Sequence, residues 1–334
     1  MGELQTTLFK TFGLILFSLG AASSSQFCID KLRAHLPSPK EQICAENGAF
    51  YAYISKYDLP SNNICHTLST FESDSFVCAA QVFKVKKAQG TVILVHGYYD
   101  HVGMLTHLIE KALSSGFNVV AFDLPGHGLS TGKRASIESF DHYTNAFKSA
   151  VAIAADELPG PYFAAGHSTG GAVIISYLTT YDDSKIETAV LLAPLIRSSH
   201  FRVAKIAHFI TSPFKSKLPR WFRNSSSDTL FLRKQQNDPL QHQYFPMQWA
   251  TAYYEWERNI QNMKTVSVPI TIVQGDEDNV VNWRYNIPFL EKRLEKCTTK
   301  VVEGAKHQLF NESKTIRREV LDYFIDALKR GVEK

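Results

Sequence analysis

The residues Gly166-His167-Ser168-Thr169-Gly170 stand between two apolar runs. The run at 162–165 before them is short enough for a strand, and the run at 172–178 after them has the composition of a buried helix. A G-x-S-x-G turn between a strand and a helix holds its serine in a strained backbone above a parallel sheet, with the hydroxyl pointing outward. Side chains at positions 166 and 170 would collide with the neighbouring strand or helix, which accounts for both glycines. The pattern predicts a serine nucleophile at Ser168, where a helix N-terminus favours developing negative charge.

Strand-like and helix-like segments alternate on both sides of this turn. Strands are predicted at 76–85, 91–96, 118–122, 162–165, 188–192, 270–274 and 299–302, and helices at 105–115, 137–158, 170–181, 284–295 and 314–329. The middle strands are almost continuously apolar, which indicates burial on both faces in a parallel sheet covered by helices. The pattern therefore predicts an α/β fold with a mostly parallel, doubly wound sheet. Such sheets bind ligands at the carboxyl ends of their strands.

The alternation stops between residues 194 and 268. This segment is rich in Phe, Trp and Tyr and lies between two predicted core strands, where a helical cap would be inserted. We therefore predict a core of residues 71–195 and 266–334 with a cap or lid insertion at 196–265. With 334 residues, of which 44% are hydrophobic, the chain can bury a large core. Its modest net charge of +4 argues against a nucleic-acid partner.

The first 24 residues have the features of an export signal. Lys10 precedes an apolar run at 11–22 that ends in small residues, and this run is shorter than the roughly 20 residues that span a bilayer. A buried N-terminal helix or an uncleaved anchor is the alternative. We expect a signal peptide at 1–24 and a periplasmic or secreted chain, with membrane association as an option. Residues 25–70 are expected to form an extension that lies on the core.

Cysteine usage fits export but does not require it. Cys28, Cys44, Cys65 and Cys78 lie in the first quarter of the chain, and Cys297 stands alone far downstream. Four clustered cysteines could form two disulfides in any of three pairings, or they could be small buried apolar side chains. Both interpretations stay open at this point. No C-x-x-C spacing in the sequence supports a redox motif or a zinc site.

A serine hydroxyl needs a base to remove its proton and a third group to orient that base. After a serine elbow on this type of sheet, the acid comes next along the chain and the histidine comes last. Asp278 follows the predicted strand 270–274, and His307 follows the predicted strand 299–302. Ser168, Asp278 and His307 are therefore the predicted catalytic residues.

Two acidic neighbours compete with Asp278 for this role. The G-x-x-D spacing after the strand favours Asp278 over Asp276 and Glu277. An aspartate directly beside a glycine, as at position 276, is typical of a residue that caps a turn.

Attack on an ester creates an oxyanion, which two backbone N–H groups must stabilise. One donor is predicted to be the amide of Thr169, directly after the nucleophile. The other is expected from the loop at 96–101, where we select the amide of Tyr98. A glycine-rich run at 123–132 lacks the lysine and the spacing of nucleotide-binding loops, so we interpret it as a structural turn.

Several short motifs follow one another in a fixed order along the chain. They are His96-Gly97 with Asp100-His101, the D-x-x-G-H-G-x-S-x-G run at 123–132, the elbow at 166–171, Asn237-Asp238-Pro239-Leu240, Gly275-x-x-Asp278 and Gly304-x-x-His307. With these motifs, residues 75–330 closely resemble the α/β-hydrolase fold. Within that fold they resemble the branch of monoacylglycerol lipases and bacterial lysophospholipase L2-type enzymes. The elbow departs from the branch at Thr169, where Met is usual.

The resemblance implies a serine hydrolase that cleaves single-chain acyl esters through an acyl-enzyme, with no cofactor and no metal. A lysophospholipase or a monoacylglycerol lipase is the expected activity, with a lipid or another acyl ester as substrate. A short-chain carboxylesterase or a serine peptidase of the same fold is the alternative. A non-catalytic binding protein is disfavoured, because such proteins typically lose one of the three catalytic residues.

The predicted cap is basic and apolar. Between residues 197 and 223 it carries seven Arg or Lys side chains and no acidic residue. Val203, Ile206, Ala207 and Ile210 recur at the spacing of one helix face. This composition suits contact with an anionic membrane surface. The alternative is a solvated basic face whose aromatic residues pack on the core.

Overall fold

A mostly parallel sheet forms the centre of the molecule. The computed structural model describes residues 30–34, 36–37, 41–181 and 184–333, and within them the main sheet has nine strands. These are β1 (Gln42–Cys44), β2 (Cys65–Ser73), β3 (Phe76–Lys84), β4 (Thr91–Val95), β5 (Asn118–Phe122), β6 (Tyr162–His167), β7 (Ile186–Leu192), β10 (Ile270–Gly275) and β11 (Cys297–Val302). Residues 1–24 lie outside the described part of the chain, so export stays a prediction.

The strand order confirms the predicted fold class. Along the sheet the order is β1-β2-β3-β5-β4-β6-β7-β10-β11. Every neighbouring pair from β5 to β11 is parallel, whereas β1, β2 and β3 form an antiparallel edge. The segments that follow β6, β10 and β11 therefore leave the sheet at the same edge, where Ser168, Asp278 and His307 are located.

Helices cover both faces of this sheet. They are α1 (Gly48–Lys56), α2 (Thr106–Ser114), α3 (Asp141–Glu157), α4 (Thr169–Thr180), α5 (Phe201–Thr211), α6 (Thr229–Gln236), α7 (Met247–Ile260), α8 (Trp283–Glu291) and α9 (Lys314–Val332). Successive side chains of β4 show the two-sided burial. Ile93 and Val95 belong to the core that includes α3 and α4, whereas Val92 and Leu94 belong to the core that includes α2 and α9. A strand packed on both faces needs a continuous apolar run, as the sequence predicts.

The extension at 25–70 contributes to the sheet, which the sequence analysis did not predict. It contains β1 and the first part of β2, and β2 pairs with β3 in register from Cys65↔Lys84 to Ser73↔Phe76. Polar residues such as Thr67 hide this strand from an apolar pattern. The helix α1 does lie on the core, where Phe50 and Tyr53 are buried.

The structure describes four of the five cysteines, so the predicted alternatives are tested for these four alone. Cys44, Cys65, Cys78 and Cys297 are all free thiols, and Cys28 lies outside the described residues. Cys78 is buried in the core, and burial raises the pKa of its thiol to about 12. Cys44 and Cys65 are exposed. Within the described part of the chain, Cys78 is thus a small buried apolar residue and no disulfide is present.

The glycine-rich run at 123–132 is a turn built around one buried carboxylate. Asp123 Oδ1 accepts the Val102 amide at 2.8 Å, and Oδ2 accepts the Leu129 amide at 2.7 Å. Gly128 has φ +45°, and a Cβ at this position would lie 2.1 Å from Asp123 Oδ2. The run therefore requires glycine to close around its own aspartate, which agrees with a structural turn.

The segment between β7 and β10 forms the inserted cap. It contains α5, α6 and α7 together with a separate antiparallel pair, β8 (Lys217–Pro219) and β9 (Tyr244–Pro246). The helix α7 anchors the cap on the core through buried aromatic side chains, including Trp249, Tyr253 and Trp256. Among the described residues, no helix is both long enough and apolar enough to cross a membrane.

His66 on β2 is a buried neutral side chain at the antiparallel edge. Its ring stacks on Phe83 with centroids 3.9 Å apart, and Nε2 lies 3.0 Å from Gln81 Oε1. Burial lowers the pKa of His66 to about 4, because little water remains to solvate an imidazolium.

We therefore predict that His66 makes the stability of the fold sensitive to mild acid. Between pH 6.5 and about 4 the unfolded chain binds a proton at His66 and the folded chain does not. This contribution is complete above pH 6.5 and is lost as the pH falls toward 4, with a total of about 3 kcal/mol. Urea unfolding across this range should show a smaller pH slope for His66→Gln than for wild type.

The matched control is His200→Gln, since the His200 side chain is exposed. It should keep the wild-type slope, so the comparison isolates His66 from the other buried histidines. An unchanged slope in His66→Gln would contradict this assignment.

Candidate active site

Ser168 has a backbone conformation that non-glycine residues rarely adopt, with φ 51° and ψ −110°. It joins β6 to α4, and its amide donates to Leu192 O at 2.9 Å. A Cβ on Gly166 would lie 2.5 Å from the Gly170 backbone, and a Cβ on Gly170 would lie 2.2 Å from Val95 O. Glycine alone fits these two positions. The turn is consequently tight, and Ser168 stands at its tip.

His307 and Asp278 form a buried pair beyond the ends of β11 and β10. His307 Nδ1 lies 2.8 Å from Asp278 Oδ2, and the other carboxylate oxygen accepts the amides of Val280 at 2.8 Å and Val281 at 3.1 Å. Burial alone would raise the pKa of Asp278, but the His307 ring and these hydrogen bonds outweigh burial and lower it. An ionised carboxylate therefore orients the ring, which leaves Nε2 free to take a proton.

Ser168 and His307 line one cavity of about 160 Å³. The side chains of Tyr98, Arg220 and Phe222 form further parts of its wall. Ser168 is 7% exposed and His307 is 5% exposed, so both are largely shielded from bulk water. The fold thus brings the three residues predicted as catalytic to the same edge of the sheet and two of them into the same cavity.

The two acidic neighbours of Asp278 face other partners. Asp276 accepts the Gly304 amide at 2.7 Å and so ties the turn after β10 to the loop after β11. Glu277 is exposed to solvent. These loops touch through their backbones, because a Cβ on Gly275 would lie 2.2 Å from a carbonyl oxygen of the histidine loop. Of the three acids, Asp278 is the one in contact with His307.

The amides selected for the oxyanion are those of Tyr98, in the loop after β4, and Thr169, directly after the serine. Within the described residues neither amide donates to a backbone carbonyl. The Tyr98 ring stacks on Trp249 of the cap with centroids 3.8 Å apart, and its hydroxyl donates to Ala135 O at 2.7 Å. Side-chain packing thus fixes the loop that presents the Tyr98 amide, and preorganised donors are what an oxyanion requires.

A second carboxylate, Asp100, is buried in the wall of the same cavity, and the sequence analysis gave it no role beyond its motif. It accepts hydrogen bonds from Gln308 Nε2 at 3.1 Å and Gln241 Nε2 at 3.3 Å. Burial would raise the pKa of Asp100, but the adjacent His167 and the Gln308 amide outweigh burial and lower it. The side chain of His167 also donates to the His307 carbonyl at 3.0 Å. Asp100 and His167 together support the backbone at His307.

A buried ion pair joins the extension, the core and the cap. His101 Nε2 of the core lies 3.2 Å from Asp238 Oδ2 of the cap, and the Tyr57 hydroxyl of the extension donates to Asp238 Oδ1 at 2.9 Å. Burial would lower the pKa of His101, but the carboxylate outweighs burial and raises it. The same contact lowers the pKa of Asp238. Breaking one member would leave the other charge buried and unpaired, which is strongly destabilising.

The segment 220–228, here called the strap, is hydrogen-bonded to the loop that carries His307. Ser225 O accepts the Gln308 amide at 2.8 Å. Glu312 Oε2 accepts the Ser227 amide at 2.7 Å, and its other oxygen accepts the amide of residue 306 at 2.8 Å. Glu312 is fully buried. No sequence motif around Glu312 indicates this role. The cap and the histidine loop are therefore linked by a backbone hydrogen bond and by the Glu312 carboxylate, which accepts from both segments.

Curated proteins similar to this chain include several lipid esterases. The monoacylglycerol lipase of Mycolicibacterium smegmatis is 27% identical over 258 residues, which cover 72% of this chain and 89% of that protein. The human monoglyceride lipase is 27% identical over 250 residues, covering 69% of this chain and 78% of that protein. Phospholipase YtpA of Bacillus subtilis is 24% identical over 247 residues, which cover 69% of this chain and 92% of that protein.

Solved structures support the α/β-hydrolase fold, and a match to a family model shows the family. A soluble variant of monoglyceride lipase from Saccharomyces cerevisiae superposes with a TM-score of 0.68 at 18% identity, covering 79% of this chain and 95% of that one. The model of the family described as serine aminopeptidase, S33, matches residues 86–314, which is more than half of the chain. The chain therefore belongs to this family of α/β-hydrolases.

Proposed function

We propose that this chain hydrolyses single-chain acyl esters, with lysophospholipids and monoacylglycerols as its substrates. The observation that carries the proposal is the pairing of the ionised Asp278 with His307, which lines the same cavity as the strained Ser168. Relatives named as monoacylglycerol lipases and as a phospholipase support the choice of a lipid ester.

The first half of the proposed reaction is acylation of the serine. Ser168 Oγ attacks the ester carbonyl while His307 Nε2 takes the hydroxyl proton, and Asp278 stabilises the imidazolium that forms. The carbonyl oxygen becomes an oxyanion beside the amides of Tyr98 and Thr169. As the tetrahedral intermediate collapses, His307 returns the proton to the leaving alcohol, and the acyl group remains on Ser168.

The second half releases the fatty acid. Water enters in place of the alcohol, and His307 removes one of its protons as the oxygen attacks the acyl-enzyme. The bond between Ser168 Oγ and the acyl carbon breaks, and His307 returns the proton to the serine.

We predict that fatty-acid release depends on Ser168 and on Asp278. Ser168→Ala should lower release from lysophosphatidylcholine and monoolein by at least about a thousandfold, and Asp278→Asn by roughly ten-thousandfold, because the nucleophile or the correct ring tautomer is lost. Ser114→Ala is the control, since Ser114 is exposed on α2. It should retain wild-type activity.

The same assay separates the alternatives. A nitrophenyl butyrate and an aminoacyl nitroanilide are assayed beside the two lipids, because the family is described as serine aminopeptidase. Activity on the short ester alone would keep the triad and remove the lipid substrate. Cleavage of the anilide alone would favour a peptidase, and full activity of Ser168→Ala on the lipids would contradict the mechanism.

The cap surface supports a further proposal, that the enzyme contacts anionic membranes. On α5, Val203 is 70% exposed, Ile206 61% and Ile210 60%, so this apolar face points to solvent instead of the core. The neighbouring Phe209 and Phe214 are also exposed. Contiguous exposed apolar residues commonly mark membrane or partner contacts. The surrounding Lys and Arg side chains provide the charge that attracts an anionic headgroup layer.

Vesicle sedimentation tests this contact. The triple variant Val203→Ser, Ile206→Ser, Ile210→Ser should bind phosphatidylglycerol vesicles at least about tenfold more weakly, because about 0.8 kcal/mol is lost for each buried CH₂. Neutralising Arg202, Lys205, Lys215 and Lys217 should abolish the preference for anionic over neutral vesicles. Val301→Ser, at an exposed apolar position on β11, is the control. Unchanged binding in both cap variants would refute the proposal.

A further inference from the structure

The side chain of Arg220 is held rigidly in the wall of the catalytic cavity. Its guanidinium carbon lies 3.8 Å from the centroid of the Tyr99 ring and 4.3 Å from that of Phe222. Its Nη1 donates to Gln241 Oε1 and, at 3.2 Å, to His242 O. Two rings therefore fix the plane of the group and two acceptors fix one end, so little conformational entropy remains to be lost on binding a ligand.

Among the residues the structure describes, the other edge of the guanidinium has no protein partner. The Nε and Nη2 atoms of Arg220 donate to no acceptor there, and no carboxylate lies within ion-pair distance. This edge carries parallel N–H groups, the arrangement that binds a carboxylate or phosphate through two hydrogen bonds. A partly buried guanidinium without a counter-ion is costly, and a bound anion would remove that cost.

The one acidic side chain in the described wall of this cavity, Asp100, attracts Arg220 through space but makes no ion pair with it. Asp100 is 2% exposed and already accepts the amides of Gln308 and Gln241. Gln241 stands between the two charges, since its oxygen accepts from Arg220 and its nitrogen donates to Asp100. The carboxylate and the guanidinium are thus held apart by an amide.

A second cation lies in the wall of the same cavity. Arg223 lies on the strap, three residues from Arg220, and also lines the cavity. Its Nη1 donates to the carbonyl of Asn279, the residue after Asp278. The wall of the cavity therefore includes two arginines of the strap together with Ser168 and the candidate histidine.

We propose that Arg220, supported by Arg223, binds the phosphate of a lysophospholipid substrate, so that the enzyme favours lysophospholipids over neutral monoacylglycerols. This inference rests on the proposed ester hydrolysis at Ser168. The phosphate lies on the alcohol side of the scissile ester, a few bonds from the carbonyl that Ser168 attacks. A small cavity that contains both the serine and a guanidinium can hold the two groups together. A monoacylglycerol offers no anion at that place.

The test compares kcat/KM for lysophosphatidylglycerol and monoolein of equal chain length, each diluted in a large excess of neutral detergent so that the surface charge of the micelles stays low. Arg220→Gln should lower the ratio of the two values by about ten- to a hundredfold, because one charge-assisted bidentate contact is lost. Arg220→Lys should restore part of the ratio. Arg233→Gln, an exposed cap position with the same change of charge, should leave the ratio at the wild-type value.

An unchanged ratio of the two kcat/KM values in Arg220→Gln would overturn the inference. This result would also follow if Arg220 had a purely structural role, because both values would then fall by the same factor. Weaker product inhibition by oleate in Arg220→Gln, with an unchanged substrate ratio, would assign the site to the fatty-acid carboxylate and also overturn it. Failure of the wild type to release fatty acid from either lipid would remove the proposed function and this inference together, whereas activity on monoolein alone would remove only this inference.

Discussion

At Gly170 the start of α4 approaches β4 so closely that a Cβ would lie 2.2 Å from the Val95 carbonyl oxygen. The same constraint acts at Gly166, and together they force the chain to reverse within a few residues. Ser168 takes up that reversal with φ 51°, a strained conformation that persists only where the surrounding structure enforces it. The serine hydroxyl is thereby placed at the carboxyl edge of the sheet, and every other feature of the site is arranged around it.

The partners of the serine are held by hydrogen bonds that reach across separate parts of the chain. Asp278 orients the His307 ring, and His167 bonds the His307 carbonyl. Glu312 links the histidine loop to the strap, so the cap is continuous with the site beneath it. The ion pair between His101 and Asp238, with Tyr57, fastens the other end of the cap and the extension. Displacement of the cap would therefore change the position of the loop that carries His307.

Local patterns predicted the fold and the residues of the site, whereas contacts between distant segments escaped them. Continuous apolar strands and the glycine pattern at 166–170 are local, and with the chain order of serine, acid and histidine they predicted Ser168, Asp278 and His307 as the catalytic residues. The strand β2, which pairs with β1 and β3, was not predicted because its buried side chains include polar groups such as His66. Asp100 was noted only as part of a motif, because its amide partners are more than 130 residues away in the chain. The helix α5 was predicted from the spacing of its apolar residues. That spacing does not reveal whether the apolar face is buried or, as here, exposed.

The account depends most directly on Ser168 being the nucleophile that His307 activates. A fluorophosphonate forms a covalent phosphonyl bond with an activated serine, and mass spectrometry of the digested protein locates the adduct. We predict one adduct, on the peptide that contains Ser168, with labelling slowed at least about a hundredfold in His307→Ala because the base is absent. An adduct on another residue, or equal labelling rates in the two proteins, would contradict the account.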